Sequence, residues 1–128
     1  MITLNYNNGE LGFDKWVLSP EDTLDSIKNR FSHNEFELWH KNNQWENYKL
    51  NISEEYIIGI FFLNGLVKFI EIYPKRHDVE DDQMLQDLLM NLGGENRYSW
   101  GKVELNVDYK AGYTSVIINY SHEWSSIV

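Results

Sequence analysis

The sequence contains no cysteine. This absence excludes disulfide bonds and metal sites built on thiolates, and it fits a reducing compartment, so we expect a cytoplasmic protein. Long apolar segments are also missing, because the longest one, Tyr56 to Leu63, has the length of a β-strand. The first residues lack the basic start and apolar stretch of a secretory signal. We therefore expect no association with a membrane.

Basic residues are scarce. Lysine and arginine total 11 against 20 aspartates and glutamates, which gives a formal net charge of -9. A field of this sign repels phosphate backbones, so we expect no direct binding of nucleic acid. Acidity also favours solubility in proteins of many kinds. If the charge has a binding role, the partner is expected to be basic.

Catalytic and cofactor motifs are absent as well. No glycine-rich phosphate loop occurs, and the four histidines are scattered without the spacing of a zinc site. The run from His77 to Asp82 is rich in oxygen ligands, but it lacks the central glycine and terminal glutamate of a calcium loop. We expect no cofactor, no metal ion and no enzymatic activity.

The pattern of elements predicts one α+β domain spanning residues 1–128, a curved and mainly antiparallel sheet with two helices packed against it. The clearest signal is Asn64-Gly65, which joins two apolar segments and favours a tight hairpin at the centre of the sheet. A second helix is expected to open with the acidic cluster of Glu80, Asp81 and Asp82, and Gly93-Gly94 should end it. The predicted order is β-β-α-β-β-β-β-α-β-β.

Two expectations concern the amino-terminal third. The strand that begins at Leu11 is predicted to continue through Trp16 to Leu18. Ser19 is the expected cap of the first helix, with Pro20 at its first position, and this helix should end near Phe31.

The strand after this helix carries the candidate binding residues. An alternating pattern puts Phe36, Leu38 and His40 on one face and leaves Trp39 with carboxylates on the other. An exposed aromatic side chain among charges is typical of binding hot spots. Trp45 and Tyr48 are three positions apart in the next predicted strand, so their side chains point to opposite faces. Only one of them can therefore share the face of Trp39. The candidate contacts form two groups, namely Glu35, Glu37, Trp39 and Glu46, and separately Asp78, Glu80, Asp81 and Asp82.

The sequence resembles the immunity proteins of bacterial polymorphic toxins, including those of contact-dependent growth inhibition systems. The resemblance lies in its size, its acidity, the lack of cysteine, the hairpin Leu-Asn-Gly-Leu-Val-Lys-Phe-Ile (Leu63 to Ile70) and the two-helix sheet domain without an active site. It implies an antitoxin that binds and neutralises a cognate toxin domain, often a basic nuclease.

Other functions stay open at this point. A non-catalytic module could enclose a small molecule in a pocket lined by tryptophan and tyrosine. An enzyme of unrecognised type could use Glu71 or Glu104 within the sheet. An edge strand could pair with a second copy to form a homodimer, or it could accept a strand of the toxin.

Overall fold

The computed structural model describes residues 2–13, 15–75, 79–108 and 113–120. Over these residues the chain forms ten strands and two helices. In order they are β1 (Ile2–Leu4), β2 (Leu11–Phe13), β3 (Trp16–Leu18), α1 (Leu24–Lys28), β4 (Phe36–Asn42), β5 (Trp45–Leu50), β6 (Tyr56–Leu63), β7 (Leu66–Pro74), α2 (Val79–Asn91), β8 (Asn96–Tyr98), β9 (Gly101–Asp108) and β10 (Tyr113–Tyr120).

The strands form two antiparallel sheets. β4 to β10 make a seven-stranded sheet in the order β4-β5-β6-β7-β10-β9-β8, and β1 to β3 make a small three-stranded sheet. The expectation of mainly antiparallel strands with two helices is confirmed. The expectation of one sheet is wrong, because the amino-terminal strands pair only with one another.

One face of the seven-stranded sheet, the core face, packs against everything else. Its apolar side chains join those of the small sheet, α1 and α2 in one buried cluster. The opposite face, which we call the open face, therefore has none of these elements on it. The strand register places the following residues there: Glu37, His40, Asn47, Lys49, Gly59, Phe61, Phe69, Glu71, Lys102, Glu104, Ile117 and Asn119.

The hairpin of β6 and β7 forms as predicted. Asn64 and Gly65 both have positive φ angles, 53° and 79°, as a type I′ turn requires. β7 is the fourth of the seven strands, so the hairpin lies at the centre of the sheet.

Helix α2 also follows the prediction. Leu85, Leu88 and Leu92 are buried on the side that faces the core, and the helix contacts β10, β7 and β1. Gly93 and Gly94 both have positive φ angles directly after it, where the Gly94 amide donates to the carbonyl of Leu89. A glycine pair can adopt this left-handed conformation at little cost, and the helix ends there.

The first helix is shorter than predicted, and the predicted cap is wrong. Ser19 begins a turn in which its amide donates to Oδ2 of Asp22, and the helix starts only after Thr23. Thr23 and Ser26 form a reciprocal capping box that satisfies the first amides of α1. The strand expected to run from Leu11 to Leu18 is likewise divided into β2 and β3, which pair antiparallel with each other.

A buried carboxylate holds α1 in place. Asp22 Oδ1 accepts hydrogen bonds from Arg30 Nη2 at 2.8 Å and from Ser26 Oγ at 2.9 Å. Nη1 of Arg30 donates to the carbonyl of Val17 in β3, and the backbone of Leu24 donates to Gly65 in the central turn. The ion pair of Asp22 and Arg30 therefore links the segment around α1 to the small sheet, and the Leu24 hydrogen bond links α1 to the central turn of the large sheet.

Replacing Tyr120 by phenylalanine should reduce the alkaline sensitivity of the fold. Burial raises the pKa of Tyr120 well above its ordinary value of 10.0, and the charges of Asp22 and Glu10 add to this effect. Because the unfolded chain loses this proton near pH 10, the folded state loses stability above that pH, by up to about 1.4 kcal/mol per pH unit. The hydroxyl also donates to the carbonyl of Gly9 at 2.6 Å, so the variant should be about 1 kcal/mol less stable at neutral pH.

Urea unfolding of both proteins at a series of pH values measures this difference. The two stability curves should converge as the pH rises from about 9 to 11, through the pKa of an unfolded tyrosine. Curves that stay parallel over this range would contradict the assigned role of Tyr120.

Candidate functional site

A β-bulge at Trp39 shapes the open face. In the pairing of β4 with β5, Leu38 lies opposite Tyr48 and His40 lies opposite Asn47, so Trp39 is the extra residue. His40 therefore shares a face with Asn47, and the expectation that it shares the face of Leu38 is wrong. Trp39 also lies on the open face. Gly59 belongs to that face, and a Cβ atom added to Gly59 would lie 4.0 Å from Cζ3 of Trp39. The side chain of Trp39 is 51% exposed.

Beside Trp39 the open face carries an aromatic groove. Phe61 and Phe69 stack with ring centroids 4.3 Å apart, and the ring of Trp45 lies 5.9 Å from that of Phe69. The cavity measures about 280 Å³ and opens to solvent. We define the aromatic groove by the residues that line it, which are His40, Asn42, Trp45, Asn47, Phe61 and Phe69. Trp45 faces this groove while Tyr48 is buried in the core, so only one of the two shares the face of Trp39, as predicted.

Two asparagines flank the stacked phenylalanines. The strand register places Asn47, Phe61, Phe69 and Asn119 in one row across β5, β6, β7 and β10. The side-chain oxygens of both asparagines are buried and have no hydrogen-bond donor among the described residues. A buried acceptor without a partner costs about 1–3 kcal/mol. An outside donor that reached this row would recover that cost.

Carboxylates gather next to the open face, where β4 begins and β5 ends. We call Glu35, Glu37, Glu54 and Glu55 the acidic end. Asn51 joins them, because its Nδ2 donates to Glu37 Oε1 and its backbone amide donates to the carbonyl of Glu35.

The acidic end borders two shallow grooves. Glu35 and Glu54 line one of about 430 Å³ together with Trp16 and Lys75. Glu54 and Glu55 line the other, of about 390 Å³, together with Tyr56. Burial raises the pKa of Tyr56, and the negative charges of Glu55 and Asp87 raise it further.

The structure brings together part of the first predicted group. Glu37 and Trp39 share the open face, and Glu35 lies at the start of the same strand, where its carboxylate accepts from the amide of Ser32. Glu46 lies on the core side, opposite Phe62, and pairs with Lys41 at 3.4 Å. A role of these residues in binding stays a prediction.

The second predicted group is placed only in part. Asp78 lies outside the described residues, and so do the side chains of Glu80, Asp81 and Asp82. The backbone of these last three residues opens α2, which packs on the core face. Glu37 and Trp39 of the first group therefore lie on one side of the large sheet, and the backbone that opens α2 lies on the other.

Several residues of the site were not identified from the sequence. Asn47, Phe61 and Phe69 lie on three different strands, so only the strand order and register bring them together. The pair Glu54 and Glu55 carried a signal, because two adjacent carboxylates precede an apolar strand.

The carboxylates considered for catalysis are engaged by neighbours. Glu71 Oε2 accepts from Ser115 Oγ at 2.8 Å, and Glu104 pairs with Lys102 at 3.1 Å. In the part of the chain that the structure describes, no three His, Cys, Asp or Glu side chains are grouped so that they could hold a metal ion. No helix among these residues combines the length and apolar character needed to span a membrane.

Comparison with solved structures gives a match over nearly the whole chain. It superposes on one chain of a structure described as "Rhs1-CT in complex with cognate immunity protein RhsI1", with a TM-score of 0.62 and 16% sequence identity. The match covers 99% of this chain and 95% of that one. At this identity the similarity shows a common fold. No family profile matches the sequence, and no curated protein matches it.

Proposed function

We propose that this protein is an immunity protein, which binds and neutralises a cognate toxin domain by direct contact and without catalysis. The observation that carries the proposal is a half-exposed tryptophan beside an aromatic groove and an acidic end, on the sheet face that α1, α2 and the small sheet leave open. Exposed aromatic clusters of this kind mark protein-binding surfaces.

The fold supports this assignment. The solved complex contains a toxin domain and its immunity protein, and the likeness extends over 99% of this chain. Of these two roles, the net charge of -9 and the lack of a catalytic motif favour the neutralising partner. We propose that it acts in the cytoplasm of the toxin-producing cell, within a polymorphic-toxin system such as contact-dependent growth inhibition.

The acidic end and the aromatic groove have different roles in binding. Carboxylates of the acidic end attract a basic toxin domain, such as a nuclease, and raise the rate of association. The open face itself carries both signs of charge, with Glu37, Glu71 and Glu104 beside Lys49 and Lys102. Trp39 and the aromatic groove bury apolar surface on contact, which slows dissociation.

The alternative of a small-molecule module has weaker support. Sites for drug-sized ligands measure about 300–1,000 Å³ and enclose most of the ligand. The aromatic groove measures about 280 Å³, and although the two grooves at the acidic end are larger, at about 390 and 430 Å³, all three open to solvent and would not enclose such a ligand. The size of the aromatic groove suits one side chain of a protein partner better than a free metabolite.

Affinity capture tests the proposal. The tagged protein should capture the product of the gene immediately upstream, and capture should weaken from low to high salt because the attraction is electrostatic. The double variant Glu54→Gln/Glu55→Gln should show a smaller salt dependence. Failure to capture this product, soluble and folded, at both salt concentrations would contradict the proposed function.

A further inference from the structure

We propose that the aromatic groove receives an arginine side chain of the bound toxin domain. The inference rests on the proposed function and adds the chemistry of the contact. Three features support it, namely the aromatic walls of the groove, the unpaired oxygen of Asn47 and the absence of lysine and arginine from the described residues that line the groove.

The walls offer flat aromatic faces. Phe61 and Phe69 are nearly parallel, with an interplanar angle of 21°, and Trp45 is tilted by 54° to Phe69. A guanidinium group is planar, stacks on aromatic rings and is more weakly hydrated than an ammonium group. An arginine can therefore pack its aliphatic chain and its guanidinium group against these rings.

The groove also holds an unpaired acceptor. Asn47 lines the groove, and its side-chain oxygen is buried and has no hydrogen-bond donor among the described residues. The terminal torsion of asparagine is broad, so a small rotation turns this covered amide oxygen toward the groove. Arginine brings five N–H donors in a fixed fork and can satisfy the oxygen while its plane stays on the rings.

Among the described residues, no lysine or arginine lines the groove, and Lys49 and Lys102 of the open face lie outside it. The carboxylate of Glu37 lies on the same face, and the whole chain is strongly acidic. An aliphatic side chain would leave the Asn47 oxygen unpaired. Lysine would bring a compact, strongly hydrated charge that cannot stack.

Titration of the ¹⁵N-labelled full-length protein with N-acetyl-arginine amide tests the inference directly. The indole signal of Trp45 and the side-chain amide of Asn47 should shift and saturate, with a dissociation constant of about 10 mM or tighter, as expected for one anchored side chain. The lysine and leucine analogues should bind at least about fivefold more weakly, because each lacks the planar donor fork.

Two variants separate recognition from structure. Asn47→Leu should weaken binding of the arginine probe, whereas Asn47→Asp should strengthen it, because a charged acceptor makes the stronger bond to a guanidinium. Met90→Ala, on an exposed side chain of α2, should leave it unchanged. Equal binding of the three probes, or shifts confined to residues outside the groove, would overturn the inference.

The outcomes also distinguish this inference from the proposed function. If the upstream product is captured while the probe shows no preference for arginine, the immunity role stands and the arginine anchor is wrong. If the probe binds as expected but no product is captured, the groove recognises arginine and the immunity role is wrong.

Discussion

Replacing Asp22 by alanine should lower the free energy of unfolding by about 3 kcal/mol, since breaking a buried ion pair typically costs about 3–5 kcal/mol. We expect the lower end of this range because Arg30 keeps partial access to water, with 31% of its side chain exposed. The same change removes the side-chain acceptor of the Ser19 amide and one of the two acceptors of the Ser26 hydroxyl, which keeps the carbonyl of Thr23. Urea unfolding followed by tryptophan fluorescence measures the loss.

Asp25 provides the matched control. It lies in the first turn of the same helix but is exposed, so Asp25→Ala should cost only the interaction with the helix dipole, about 0.3–1 kcal/mol. The Asp22 effect should also persist in high salt, because a buried pair is screened less than a surface charge. Equal costs for the two variants would show that Asp22 acts merely as a surface charge.

The parts of the fold that the sequence predicts are those specified by local chemistry. Asn64-Gly65 specifies a tight turn because both residues tolerate positive φ, and such a turn joins the two apolar strands that flank it. In the same way Gly93-Gly94 marks the end of α2, since neither residue continues a helix at low cost.

The errors in the predicted elements arise where two local signals compete or where a feature leaves no local pattern. Ser19-Pro20 is a good helix start, yet Asp22 accepts the Ser19 amide and closes a turn, which leaves Thr23 to cap α1. β8 has three residues and no alternating pattern, so nothing in its sequence marks it as a strand. The bulge at Trp39 reverses the face of His40, and a period-two pattern cannot show such an insertion.

The candidate site was predictable only within one strand. Trp39 stands out because it alternates with carboxylates, whereas the groove beside it is assembled from β5, β6 and β7. Phe61 and Phe69 look like core residues in the sequence, since both strands are apolar on both faces. Phe61 and Phe69 lie opposite each other on the open face because the register of the central hairpin shifts between Phe61 and Phe62, a bulge that the turn sequence does not specify.

Replacing Trp39 by alanine should weaken binding of the cognate toxin domain by about 30-fold or more, because a hot-spot side chain is worth about 2 kcal/mol or more. The loss should appear mainly in the dissociation rate, measured by surface plasmon resonance. The salt dependence of toxin binding by the variant should match that of the wild type, since the indole carries no charge. Stability should change little, because half of the side chain is already exposed.

Met90→Ala is the matched control for this substitution, because Met90 is 76% exposed on α2, a helix of the core face. It should bind like the wild type. The opposite result, a loss at Met90 and none at Trp39, would move the interface to the side of α2. That side holds the start of the helix and the predicted contacts Glu80, Asp81 and Asp82, so the two substitutions decide between the two predicted surfaces.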